Sequence, residues 1–134
     1  MRRMLLFFSA AFATAAIAVP AAMPGNPHPI GSCTVTQSGN TLSVVCKEAG
    51  LGGEAQVEVV GSGTAECINP GSHHPKAANK TSVSGGGQFP VQNGKADISF
   101  TMTATFSPDC TPPMTVVFSN ITVTDVTNNI QLFP

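Results

Sequence analysis

The sequence has no tryptophan and no tyrosine, and only 10% of its 134 residues are charged. Sugar-binding modules commonly stack their ligands on flat aromatic side chains, so the missing Trp and Tyr argue against that mode of recognition. Arginine occurs only at positions 2 and 3, which leaves four lysines against seven acids in the rest of the chain, a balance of −3. So few cations cannot neutralise a phosphate backbone, and we expect no nucleic-acid partner.

The N-terminus has the pattern of a signal peptide over residues 1–18. Two arginines form a positive region, an apolar run extends from Leu5 to Ala18, and a small-x-small cleavage pattern ends at Ala18, with Ala21 as a later candidate. The run is short for a membrane span, and the C-terminus lacks the hydrophobic tail of a lipid-anchor signal. We therefore expect a secreted, extracellular protein with no membrane attachment after cleavage.

The rest of the chain divides into a short lead-in and one domain. Residues 19–31 contain four prolines and are expected to be an extended lead-in. Residues 32–134 are enough for a single domain with one core.

Four cysteines follow the predicted signal, which is typical of two disulfides formed in an oxidising compartment. Sequence alone allows three connectivities. A two-residue Gly-Asn turn at positions 39–40 makes a hairpin in which Cys33 faces Cys46 at a non-hydrogen-bonded position, where side chains approach most closely. We therefore expect Cys33 to pair with Cys46, which leaves Cys67 with Cys110.

The apolar pattern after the signal has the period of strands. Lys95–Phe106 alternates strictly between apolar and polar residues, which predicts a strand with one buried face. Met114–Val126 changes phase part-way, and a one-residue bulge near positions 119–120 would restore a single apolar face. Because no segment has a convincing helical period, we expect an all-β, antiparallel β-sandwich, immunoglobulin-like in outline, with about seven strands.

One stretch has no regular pattern and is the candidate binding loop. Asn-Pro-Gly at positions 69–71 is strong turn chemistry, and residues 72–87 show no periodicity and end in three glycines. A loop of this length in a compact domain is often functional. The polar side chains that could contact a ligand are Asn69, His73, His74 and Lys76.

The sequence contains no signature of catalysis or metal binding. It has no Gly-x-Ser-x-Gly motif, and its three histidines, His28, His73 and His74, lie in predicted loops. Adjacent histidines diverge, so His73 and His74 lack the spacing of a chelating pair. Glu58 and Asp97 point outward from different strands, which argues against facing carboxylates. We expect no enzymatic activity, no metal and no cofactor.

Two sequons are potential glycosylation sites if the source is eukaryotic. Asn79 lies in the predicted loop and Asn120 lies at the predicted bulge, where it is accessible only if the bulge turns it outward.

The motif Cys67-x-Asn-Pro-Gly-x-x-x-Pro-x-x-x-Asn79, followed by a Thr-rich strand and Phe-Ser-Asn-Ile-Thr-Val-Thr, resembles a group of small secreted β-rich proteins. The group occurs in actinobacteria and some fungi and has no established function. The resemblance covers residues 42–126. It implies secretion and a β-sandwich, and it adds no catalytic residue or ligand.

Together these patterns predict a secreted, non-enzymatic, monomeric protein of the extracellular space or cell wall. The alternative is a binding module that uses the 69–87 loop to recognise an extracellular protein or a wall polymer.

Overall fold

The computed structural model describes residues 25–71 and 79–134. The predicted signal peptide therefore lies outside the described residues. The described residues form eight strands and no helix, so they contain no helix that could cross a membrane. The strands are β1 His28–Pro29, β2 Thr34–Ser38, β3 Thr41–Ala49, β4 Gln56–Ile68, β5 Lys80–Gln92, β6 Lys95–Thr103, β7 Thr115–Asp125 and β8 Ile130–Phe133.

All strand pairs are antiparallel, in the order β1-β3-β6-β5-β4-β7-β8, and β2 also pairs with β3 on the side of β1. β5 pairs with β4 along most of its length but with β6 only next to their shared turn. The sheet therefore folds over at that hairpin into two layers, β1-β2-β3-β6 and β5-β4-β7-β8. The predicted all-β antiparallel class and approximate strand number are confirmed.

The turn chemistry predicted from sequence places the hairpins and the disulfides. Ser38 pairs with Thr41 across the Gly-Asn turn, which puts Cys33 in a disulfide with Cys46. The second disulfide joins Cys67 to Cys110, as expected. The Asn-Gly turn between β5 and β6 has φ values of 54° and 74°, the left-handed conformations that a tight hairpin turn requires.

The core lies between the two layers and follows the period-two alternation of the strands. On β3 the residues at positions 42, 44, 46 and 48 are buried and those between them are exposed. Buried residues alternate in the same way on β4 and β6. Each large apolar side chain buried in this way contributes about 1.5–3 kcal/mol, so the alternation determines which face of each strand turns inward.

The predicted bulge in β7 is present. Ser62 pairs with Thr122 and Thr64 pairs with Ser119, so two residues of β7 lie opposite the single Gly63. One of the two is Asn120, which has a φ of 54° and is exposed. The extra residue changes the phase of the strand, so that Val123 and Asp125 both face the core.

The prediction that residues 72–87 form a loop is wrong from Lys80 onward. Residues 80–92 form β5, which pairs with β4 along its length: Lys80 lies opposite Glu66 at one end, and Pro90 lies opposite Gln56 at the other. β4 is also longer than its sequence indicates, because Gly61–Gly63 continue the strand rather than ending it. β5 contains few apolar residues to bury, so its backbone pairing with β4 stabilises it more than its own alternation does.

Glycines in these two strands allow β6 to pack close to their backbones. A Cβ atom at Gly61 would lie 2.6 Å from Cε2 of the Phe100 ring, and a Cβ atom at Gly85 would overlap the backbone carbonyl oxygen of Thr101. Gly61 and Gly85 face each other in the β4–β5 register. The absence of side chains here allows the second layer to approach β6.

The sandwich has two ends, which differ in what closes them. At the Cys67 end lie the turn at positions 39–40, the segment after Ile68 and residues 104–114, which the Cys67–Cys110 disulfide ties to β4. At the Glu48 end lie residues 50–55, the turn at positions 93–94 and residues 126–129. Neither disulfide joins segments of the Glu48 end.

The close approach at Gly85 predicts a specific sensitivity to substitution. Gly85→Ala should lower the free energy of unfolding by about 1–3 kcal/mol, because the new methyl group can be accommodated only by moving backbone. The control is Gly63→Ala, whose Cβ would mainly meet the terminal methyl of Ile121, which can rotate away. Because the chain lacks Trp and Tyr, urea unfolding is followed by circular dichroism. Equal costs for the two variants would contradict this explanation.

Candidate functional site

The structure places only part of the predicted binding loop. Asn69 is exposed just beyond β4, whereas His73, His74 and Lys76 lie outside the described residues. The two sequon asparagines are on the surface to different degrees: Asn79 is half-buried and Asn120 is exposed at the bulge.

A surface cleft of about 430 Å³ lies at the Cys67 end, between β2 and the start of β7. Its lining includes Gln37, Asn40, Cys110, Pro112, Met114 and Val116. β7 pairs with β8 only from Val123 onward, so its first half has no backbone partner on this side. Instead, the side-chain amide of Gln37 donates to the carbonyl oxygen of Val116 at 2.9 Å.

Side-chain and backbone hydrogen bonds hold the walls of this cleft. Gln37 Nε2 also donates to the carbonyl oxygen of Gly39 at 2.9 Å. Asn40 bonds to Ala104 twice: its side-chain Nδ2 donates to the Ala104 carbonyl, and its own carbonyl accepts from the Ala104 amide. Thr115, at the cleft, pairs with Ile68, so the cleft adjoins the point where the predicted loop leaves β4. This surface offers amides and carbonyls to an extended ligand.

The most unusual ionisable groups are at the opposite end, where Glu48 and Asp125 are both fully buried. Each is the last inward-facing residue of its strand, β3 and β7 respectively. The two strands belong to different layers, so the two carboxyl groups face each other across the core. Carboxyl groups are almost never fully buried unless they are paired.

Asp125 is held by three N–H donors from the turn that follows it. Its Oδ1 accepts from the amides of Thr127 at 2.9 Å and Asn128 at 3.2 Å, and its Oδ2 accepts from Asn128 Nδ2 at 2.7 Å. The same Asn128 Nδ2 lies 3.0 Å from Glu54 Oε2 and donates to it. A carboxylate has about four acceptor positions, so one position on Asp125 remains for a further donor.

Glu48 accepts no hydrogen bond from any described residue. Burial, which is the largest cause, together with a hydrogen bond to Asp125 and the charges of Asp125 and Glu54, raises the pKa of the Glu48 carboxyl from 4.5 to about 8. The protonated Glu48 can donate to the free acceptor position of Asp125. At neutral pH the Glu48 carboxyl is therefore mostly protonated.

The sequence contains a signal for this pair. Glu48 continues the inward phase of positions 42, 44 and 46, and Asp125 follows Val123 in the phase set by the bulge. An acid in the inward phase of a strand predicts a buried carboxyl group. Glu58 and Asp97, by contrast, are exposed, as their outward phase predicts.

The acidic groups do not form a metal centre in the part of the chain that the structure describes. No three His, Cys, Asp or Glu side chains there are arranged so that they could hold a metal ion, although Glu48, Glu54 and Asp125 are neighbours.

Comparison with known proteins assigns no function to this site, because the chain matches no family model, no curated protein and no solved structure.

The hydrogen bonds of Asp125 predict a large stability effect. Asp125→Ala should lower the free energy of unfolding by about 2–4 kcal/mol at about pH 6, because it removes the acceptor for three N–H groups and for Glu48. The matched control is Asp97→Ala, an exposed acid on β6, which should change stability by no more than about 0.5 kcal/mol. Urea titrations of both variants make the comparison, and similar small losses would show that the Asp125 hydrogen bonds contribute little.

Proposed function

We propose that this protein is secreted, is not an enzyme, and acts in the extracellular space or cell wall. The observation that carries the proposal is the pair of disulfides, which is consistent with an oxidising compartment outside the cytosol. The predicted signal peptide supports export of the same chain. The resemblance to small secreted β-rich proteins agrees with this proposal.

The position of the acids supports a role without catalysis. General acid–base chemistry needs carboxyl groups within reach of a substrate. Here the two carboxyls that face each other, Glu48 and Asp125, are enclosed by the core. The exposed acids Glu58 and Asp97 lie on separate strands of different layers. The arrangement therefore argues against acid–base catalysis by these groups.

The export part of the proposal is tested by expressing the full chain in a secreting host. We expect an oxidised protein in the medium whose mass corresponds to a chain that begins at Val19 or Ala22, with no free thiol. An unprocessed chain retained in cells, or a secreted chain with reactive thiols, would contradict the proposal.

A second candidate function is a binding module at the Cys67 end. The observation that favours it is the open cleft beside Gln37 and Thr115, which adjoins the start of the predicted binding loop. Since β5 begins at Lys80, the loop proposed to contribute is residues 69–79 rather than 69–87. A wall polymer or an extended stretch of an extracellular protein would meet backbone carbonyls and side-chain amides there.

Co-sedimentation with insoluble wall polysaccharides tests the second candidate. Gln37→Ala and replacement of residues 72–78 by Gly and Ser at equal length should each reduce retention several-fold, since each removes part of this surface. The control is Gln131→Ala, which alters an exposed glutamine whose amide donates to the Phe133 carbonyl away from the cleft. Background retention of the wild type would exclude polymer binding, and equal retention of all variants would exclude this end as the site.

A further inference from the structure

We propose that Glu48 and Asp125 form a pH-sensitive latch, in which one shared proton holds the Glu48 end of the sandwich closed and opening that end releases the proton. The proposal concerns regulation and does not depend on what the protein binds.

The latch joins parts of the fold that no backbone hydrogen bond joins. Glu48 is on β3 of one layer and Asp125 is on β7 of the other, and these strands are not neighbours in the sheet order. Glu48 Oε1 and Oε2 accept from no donor, so the proton shared with Asp125 is the polar link available to this side chain. A cross-layer contact of this kind resists separation of the layers at its own end.

The groups around the pair offer no compensating positive charge. Glu48 faces Asp125 from β7, and it also feels the charge of Glu54 from residues 50–55. On β1, His28 is exposed and its Nδ1 lies 2.7 Å from the carbonyl oxygen of Asn26. Four ionisable side chains of the adjoining strands are exposed: Lys47 on β3, Glu58 on β4, and Lys95 and Asp97 on β6. Glu66 on β4 lies at the Cys67 end and forms an ion pair with Lys80.

Loss of the proton would leave two negative charges in an enclosed space. Buried charges without a partner cost far more than buried neutral groups, so the ionised pair must be hydrated or separated. The segments that cover it are residues 50–55, which include the buried Leu51, and the turn after Asp125. These segments are the ones that must move to admit water.

The opening is expected to be local because the two ends are secured differently. Residues 104–114 at the Cys67 end are tied by a disulfide to β4. No disulfide crosses the Glu48 end, where Asn128 connects Asp125 to Glu54 through hydrogen bonds. The β5–β6 hairpin still joins the two layers at the Glu48 end, so the opening is confined to the segments around the pair, residues 50–55 and the turn after Asp125.

The direction of the pH dependence follows from proton linkage. The pKa of Glu48 is raised in the closed form to about 8, whereas an exposed glutamate ionises at 4.5. Below 4.5 both forms hold the proton and the closed form has its full advantage. Between 4.5 and about 8 opening releases one proton, so the opening equilibrium constant rises up to tenfold per pH unit and then levels off. The latch is thus strongest in acid.

Amide hydrogen exchange measures this equilibrium in the intact oxidised protein. The reporters at the Glu48 end are the amides of Leu51, which donates to Gly94, and Val126, which donates to Glu58. The reporters at the Cys67 end are the amides of Ala104 and Met114. Protection factors, which correct for the intrinsic effect of pH on exchange, should fall up to tenfold per pH unit at Leu51 and Val126 between about pH 5 and about pH 8. Those of Ala104 and Met114 should not follow this trend.

Glu48→Gln is the decisive variant, because its amide can still donate to Asp125 but does not titrate. It should remove the pH dependence at Leu51 and Val126, while Glu58→Gln, an exposed glutamate on β4, should leave it unchanged. A dependence that survives Glu48→Gln, or equal changes at both ends, would overturn the proposal. If Glu48→Gln does not fold, the wild-type comparison of the two ends decides the matter alone.

A calcium titration separates a proton latch from a cation site. Protection at Leu51 and Val126 should be insensitive to millimolar Ca²⁺ at about pH 8. If Ca²⁺ instead restored the protection seen in acid, the pair would be a cation site and the proton latch would be wrong.

Discussion

The inward row of β3 ends in a carboxyl group, and the packing of one end of the sandwich depends on keeping that group uncharged. Leu42, Val44 and Cys46 extend the core along the strand, and Glu48 occupies the next inward position with no exposure to solvent. An apolar residue there would need no partner. The carboxyl group needs a proton and an acceptor, and Asp125 on the opposite layer supplies the acceptor. Closure of this end therefore depends on protonation as well as on packing.

The two ends of the molecule are suited to different tasks. The Cys67 end is cross-linked, presents an open cleft, and lies next to the segment that leaves β4. It can offer a fixed surface to a ligand whatever the pH. The Glu48 end is closed by apolar contacts, hydrogen bonds and one shared proton. The fold thus combines one end that a disulfide fixes with another end whose stability depends on pH.

Much of the fold could be predicted from the sequence because local chemistry decides it. The Gly-Asn and Asn-Gly turns determine hairpin register, and that register places Cys33 opposite Cys46. The phase change between Phe118 and Ile121 predicts the bulge, since two apolar phases on one strand can share a core only if a residue is inserted. Residues 80–87 of β5 were missed because their Ser and Gly residues show no alternation. Their strand conformation comes from pairing with β4, which lies outside the segment itself. The carboxyl pair was missed for a related reason: phase alone indicates that Glu48 and Asp125 point inward, but only the folding of the sheet brings the two together.

The most direct test is a nuclear magnetic resonance titration of the Glu48 side-chain carboxyl carbon in the oxidised protein. Its chemical shift reports protonation at that atom without reference to stability or to binding. With a shared proton in the core, the midpoint should lie at about 8. A midpoint near the ordinary glutamate value of 4.5 would mean that Glu48 is ionised in the folded protein at neutral pH, and would contradict the account of how this end is closed.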